Sequence, residues 1–219
     1  MARIGITMRT VYIAEFNEIR DSISHDWVKL ISDCRHVPVF LPNNLMDYSS
    51  YIKVMKIDAV VLTGGNDIGS SPCRDRAEEA IISYAHKIGI PIIGVCRGAQ
   101  MLNNYFSGSL QRVDVNTHVS NAHDVEIHNE DFVKILGRTI RVNSFHKFGI
   151  TSSGIGEGLF CAGKTRDGIV ELFYCKNKPL VGMMWHPERK NGNAVLFENI
   201  LARLLKRGTF WNTGKKIKK

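Results

Sequence analysis

The segments "DAVVLTGG" (58–65) and "IPIIGV" (90–95) are short and almost unbroken in Val, Ile, Leu and Ala. A strand with one wet face alternates apolar and polar residues. A strand that is apolar throughout needs cover on both faces, the usual state of a parallel sheet. Helical patterns lie between these runs, so the expected fold class is α/β, a doubly wound, mostly parallel sheet flanked by helices. In order, the front half predicts a strand over 2–8, a helix over 17–33 with Ile19, Ile23, Trp27, Leu30 and Ile31 at helical spacing, the strand "VPVFLP", and a helix over 46–56. Then come "DAVVLTGG", a helix over 74–88, "IPIIGV", and a helix from 97 to 106. Ligands in such folds sit at the carboxyl ends of the strands. Thr63-Gly64-Gly65 and Val95-Cys96 occupy those ends.

The back half changes character. "HDVEIH", "TIRVNSFH", "GLFCAGKT", "GIVELFYC" and "PLVGMMWH" read as short strands between polar turns, and an amphipathic helix covers 193–206. These add antiparallel strands to the sheet. With no repeat or linker in view, residues 1–207 read as one domain and 208–219, ending in "GKKIKK", as a basic tail. The N-terminus "MARIGITMRT" lacks the apolar stretch of a signal peptide and no run is long enough to span a membrane, so a cytoplasmic protein is expected.

Cysteines number five, with wide spacings and no CxxC pair, so neither a thiolate zinc site nor a disulfide framework is indicated. The net charge of +8 is compatible with nucleic acid, but no basic stripe interleaved with aromatics accompanies it. An anionic small substrate accounts for it equally well.

One cysteine stands apart by position. "GVCRGAQ" (94–100) has the pattern G-x-C-x-G, the nucleophile elbow of hydrolases with a thiol in place of a hydroxyl. Its glycines permit a sharp strand-to-helix turn, and the N–H groups opening the helix favour a thiolate. Read alone, the pattern fits a buried structural cysteine as well as a nucleophile. "GMMWHPER" (182–189) places His186 after a strand with Glu188 two residues on, across Pro187. In extended chain both side chains fall on one side, so Glu188 can hold Nδ1 and leave Nε2 to the Cys96 thiol. In "LTGGND" (62–67), Gly65 closes a neighbouring strand, and its N–H together with that of Arg97 can form an oxyanion hole.

These segments together resemble the class I glutamine amidotransferase superfamily, and within it the γ-glutamyl hydrolase family, peptidase C26. The resemblance runs from about residue 60 to 190 and is strongest over "IPIIGVCRGAQMLNNYFSGSL", with "NSFH" and "MMWHPE" in order behind it. "CRDRAEEAII" adds an R-D-x-x-E element formed by Arg74, Asp75 and Glu78. Ser107-Gly108, where the family often has Gly-Gly, and Lys147, where it usually has glycine, depart from the pattern.

The resemblance implies a flavodoxin-like glutaminase fold and hydrolysis of a γ-glutamyl amide through a thioester. Cys96 would be the nucleophile, His186 the base and acid, and Glu188 its orienter. Gln100, His146, Lys147 and Phe148 would line the glutamyl pocket, with the backbone of 147–148 taking the α-carboxylate, and His123 matches a recurrent family histidine. No metal and no organic cofactor is implied.

The implied partner is a small γ-glutamyl substrate, not nucleic acid or membrane. A homodimer or a separate synthase partner stays open. The chain is also similar to a short bacterial branch acting on γ-glutamyl-CDP-amidate in capsule phosphoramidate synthesis. Arg97, Lys147 and Arg189 would suit a nucleotide phosphate there. The other readings are a glutaminase subunit that hands ammonia to a synthase, and a non-catalytic binding protein on the same scaffold.

Overall fold

The computed structural model describes residues 1–211. Along the chain the elements are β1 (Arg3–Thr7), β2 (Arg9–Ile13), β3 (Glu18–Ser22), α1 (His25–Asp33), β4 (Val37–Leu41), α2 (Tyr48–Val54), β5 (Ala59–Leu62), α3 (Pro72–Ile88), β6 (Ile92–Val95) and α4 (Arg97–Tyr105). They continue with β7 (Gln111–Arg112), α5 (Val115–His118), β8 (Val119–Ile127), α6 (Glu130–Leu136), β9 (Thr139–Phe145), β10 (Phe148–Thr151), β11 (Leu159–Lys164), β12 (Ile169–Cys175), β13 (Leu180–Met183) and α7 (Ala194–Arg207).

The main sheet runs β4-β1-β5-β6-β13-β12-β11-β8-β9. Its first part, β4 through β13, is parallel, and every pair from β13 to β9 is antiparallel. The unbroken apolar runs have the expected cause. β5 and β6 are buried along their whole length, with one helical layer on each face. Trp27, Leu30 and Ile31 of α1 and Phe197, Ile200, Leu201 and Leu204 of α7 cover one face. Tyr48 and Ile52 of α2, Ala77 and Ile81 of α3, and Ala99 and Leu102 of α4 cover the other. No described helix is long and apolar enough to cross a membrane.

Two expectations shift. The helix foreseen over 17–33 begins only at His25, behind a Ser24 side chain that accepts the Asp26 N–H. Residues 9–22 instead form the antiparallel β2–β3 hairpin. Ile19 is 65% exposed there, so its helical spacing to Trp27 serves no packing. "RTVYI" and "EIRDS" hold β-branched residues that pair across strands, and pairing wins over the helical period. At the other end, packing runs past residue 207: Phe210 and Trp211 are buried, and the Trp211 ring stacks on Phe132. The remainder of the expected tail, 212–219, lies outside the described residues.

Candidate active site

The elbow at Cys96 follows from close packing. Val95 stands level with Met183 of the adjacent strand, and the Cys96 N–H donates to the Met183 carbonyl at 2.8 Å. The chain then turns directly into α4. Cys96 takes φ 51° and ψ −109°, a conformation costing a residue with a Cβ on the order of 1–3 kcal/mol. The glycines on either side let the helix sit on the sheet. A Cβ on Gly94 would lie 2.6 Å from the Gly98 carbonyl oxygen, and one on Gly98 would lie 2.1 Å from that of Leu62. Only hydrogen fits at either place.

His186 lies beyond the end of β13, the next strand over, held by a reciprocal clamp. Its N–H donates to Asn143 Oδ1 at 2.8 Å, and Asn143 Nδ2 donates to its carbonyl at 3.0 Å. The imidazole is 2% exposed, with Nδ1 at 2.7 Å from Glu188 Oε1. Gly64, past the end of β5, completes the junction. A Cβ there would stand 2.7 Å from His186 Cε1 and 3.6 Å from the Cys96 Cβ. Burial by itself would lower the His186 pKa. The neighbouring Cys96 sulfur and the Glu188 carboxylate outweigh it and raise the value to about 9.

The loop after β5 is gripped by Arg74, a side chain with no solvent exposure. Its Nη1 donates to the Gly64 and Gly65 carbonyls at 3.2 and 2.7 Å, and its Nη2 to the Thr63 carbonyl at 2.7 Å. A trans peptide holds C=O and N–H on opposite sides. With the Gly64 carbonyl turned to Arg74, the Gly65 N–H points away from it. As the first residue of α4, Arg97 presents an N–H with no intrahelical acceptor. Among the described residues, neither N–H meets an acceptor.

Glu78 joins the two halves. It accepts from Thr7 Oγ1 at 2.8 Å, from Arg74 Nε at 3.1 Å and from Arg97 Nη1. Arg97 Nη2 reaches Asp75. The Arg97 guanidinium is therefore consumed inside the protein, and the expectation that it offers charge to a phosphate is corrected. A buried guanidinium of this kind needs carboxylate partners, and they occupy its fork.

A cavity of about 340 Å³ opens over these groups, and its lining includes Gly65, Cys96, Arg97, Gln100, His146, Lys147, Phe148, His186 and Arg189. Gln100 Nε2 donates to the Phe148 carbonyl at 2.8 Å, tying α4 to the 146–148 segment. Lys147 is exposed, and Arg189 lies over the Phe145 ring at 4.5 Å. Arg9, which no motif in the sequence marks, reaches the mouth: its Nε would lie 3.6 Å from a Cβ on Gly65. Its signal is hidden because the hairpin carrying it reads partly as helix. His123 is placed elsewhere, in a separate cavity with Asp167. Asn143 lies within "NSFH", a segment that by itself gives it no role. An amide in the middle of a buried strand is its one local signal.

The chain has relatives among known proteins. The family model of Peptidase C26 matches residues 3–188. The chain belongs to the peptidase C26 family. Among its relatives, the γ-glutamyl-CDP-amidate hydrolase of Campylobacter jejuni subsp. jejuni serotype O:2 is 33% identical over 198 residues, 86% of this chain and 91% of that protein. The γ-glutamyl-γ-aminobutyrate hydrolase PuuD of Escherichia coli K12 is 25% identical over 218 residues, 82% of this chain and 85% of PuuD. Of solved structures, a putative GMP synthase subunit from Thermoplasma acidophilum superposes with a TM-score of 0.73 at 20% identity, covering 92% and 93% of the two chains. A glutamine amidotransferase from Thermotoga maritima gives 0.64 at 18%, covering 94% and 85%. The fold of this C26 chain is thus the class I glutamine amidotransferase fold.

Proposed function

We propose that this C26 chain hydrolyses a γ-glutamyl amide through a thioester on Cys96. The observation that carries the reading is His186, held by Glu188 at 2.7 Å and set beside Cys96 at the ends of adjacent parallel strands. Cys96 gives its proton to His186, and the sulfur attacks the γ-carbonyl carbon. The charge that develops on the oxygen meets the N–H groups of Gly65 and Arg97. Donors fixed before the reaction cost no reorganisation when charge appears. The tetrahedral intermediate collapses, the C–N bond breaks, and His186 returns its proton to the departing amine. Water then gives a proton to His186 and attacks the thioester. The second collapse releases glutamate and restores the thiol. Gln100 and the backbone of Lys147 and Phe148 bound the pocket for the glutamyl head.

For the leaving side, the rim supports an anionic group. Lys147, exposed, and Arg189, half-buried, line the cavity, and Arg9 lies close to Gly65 at its edge. The C. jejuni relative carries a CDP-amidate in its name. A γ-glutamyl conjugate of a phosphorylated amine, such as γ-glutamyl-CDP-amidate, is the substrate class this favours, in the setting of capsule phosphoramidate synthesis.

Released glutamate is measured with purified protein alone on γ-glutamyl-CDP-amidate, γ-glutamyl-putrescine and glutamine. Turnover of the CDP conjugate above the other two is expected, abolished in Cys96→Ala. Preference for γ-glutamyl-putrescine overturns the phosphate assignment and leaves the hydrolase. Glutamine turnover that appears only with an added synthase overturns the hydrolase in favour of an amidotransferase component.

A further inference from the structure

A second group of ionisable side chains lies outside the Cys96 cavity. His118 closes α5, His123 lies on β8 and Glu171 on β12, and all three are buried. The nearest donor atoms of the three are all within 4.8 Å of one another.

Glu171 has no exposed surface. Among the described residues its ion-pair partners are histidines alone, and its Oε2 has no hydrogen-bond partner. A buried carboxylate oxygen left without a partner is costly.

The protons can be assigned from the outside in. Asp167 accepts from Thr165 Oγ1 on one carboxylate oxygen and turns the other to His118. At 2.9 Å from that carboxylate, His118 Nε2 is the donor. In a neutral ring Nδ1 then presents a lone pair, and it faces Glu171 Oε1 at 3.7 Å with no hydrogen-bond partner. His123 Nε2 faces the same oxygen at 3.5 Å, and neither of its ring nitrogens has a partner. These separations are too long for hydrogen bonds. They are close to the spacing of two ligands on one tetrahedral ion, about 3.3 Å for bonds of roughly 2.0–2.1 Å.

We propose that His118 Nδ1, His123 Nε2 and the Glu171 carboxylate hold a divalent transition-metal ion of the zinc class. Two imidazoles and one carboxylate suit zinc or cobalt better than calcium or magnesium, which favour all-oxygen sites. The surroundings are those of a metal site. Asp167 fixes the tautomer of His118, and His146 Nε2 meets Glu171 Oε1 at 3.1 Å. A cavity of about 500 Å³, lined in part by His123, Asp124, Thr165 and Asp167, opens beside the cluster. The ion would brace the pocket segment from behind. The His118 carbonyl accepts from Ser144 Oγ at 2.6 Å and from the His146 N–H at 3.1 Å, and His146 Nδ1 donates to the Phe148 carbonyl at 3.1 Å.

The test uses untagged full-length Cys96→Ala protein, so that the thiol cannot bind metal, stripped with chelator and titrated with Co²⁺ and Zn²⁺. One equivalent is expected to bind, with the visible d–d bands of four-coordinate cobalt. Asp167→Asn should weaken binding about 10–100-fold. His123→Ala should weaken it further, and replacement of the exposed His128 should change nothing. Failure of the stripped, folded protein to take up one equivalent overturns the proposal without any change to the cluster. So does unchanged affinity in both His123→Ala and Asp167→Asn. Neither result bears on whether Cys96 is the nucleophile.

Discussion

Arg74 Nη1 donates to the Gly65 carbonyl at 2.7 Å, from a guanidinium with no solvent exposure. This bond sets which way the loop after β5 faces. Arg74 touches no proposed reacting atom and so acts as a positioning residue. Arg74→Lys keeps the charge, but a single ammonium cannot span the carbonyls of Thr63, Gly64 and Gly65 and also Glu78. The expected outcome is a fall in kcat of up to about 10²–10³, the worth of one oxyanion donor, with KM little changed. Steady-state kinetics check it. An equal rise in KM with kcat intact would place Arg74 in ground-state binding instead.

The pH behaviour of His186 follows from its raised pKa. Its folded value of about 9 exceeds the ordinary 6.5. The stabilisation from the ionised ring is therefore whole below about 6.5 and is lost as pH rises through about 9. The proposed reaction needs the protonated ring to release the amine, so kcat/KM should fall on the alkaline side around the same pH. In Cys96→Ala the sulfur's contribution is gone and burial weighs more, so NMR titration should find the His186 value lower than in wild type.

Thiol labelling separates Cys96 from the other cysteines. Burial pushes Cys34 up to about 11, helped by Glu198 and Asp33, and burial also raises Cys161. Both are protonated at neutral pH and slow to alkylate. Iodoacetamide should modify Cys96 first, although it is only 8% exposed and Cys34 is more open. Peptide mapping after brief exposure reads the order. Labelling that begins at Cys34 or Cys161 would count against a proton transfer from Cys96 to His186.

Gly98→Ala reverses an ordinary rule. In a helix this change usually stabilises by about 1 kcal/mol. Here the added methyl would sit 2.1 Å from the Leu62 carbonyl oxygen, a backbone atom inside the sheet. The helix must lift off β5, at a cost of about 1–3 kcal/mol or more. Thermal unfolding should show a lowered Tm and activity should fall, since the same movement shifts Cys96.

Much of this is legible along the chain because it depends on near neighbours. The apolar runs of β5 and β6 announce cover on both faces wherever they lie. The glycines around Cys96 announce a turn that a side chain would block. His186 and Glu188 stand two residues apart, so their contact is nearly local. The 9–22 hairpin is not legible in this way, because Ile19, Ile23 and Trp27 keep helical spacing, and only cross-strand pairing with residues 9–13 decides against it.

The sequence by itself determined the layered α/β fold and the order of the elements that carry Cys96 and His186. The tertiary structure decided where charges end. It turned the Arg97 guanidinium inward to Glu78 and Asp75, joined Arg74 to the loop before it, and gathered His118, His123 and Glu171 from three separate elements into one buried cluster. The physical reason is that a charged side chain is placed by the partner that offsets its burial. Those partners arrive through the register and stacking of strands and helices far apart in sequence, which no local pattern records.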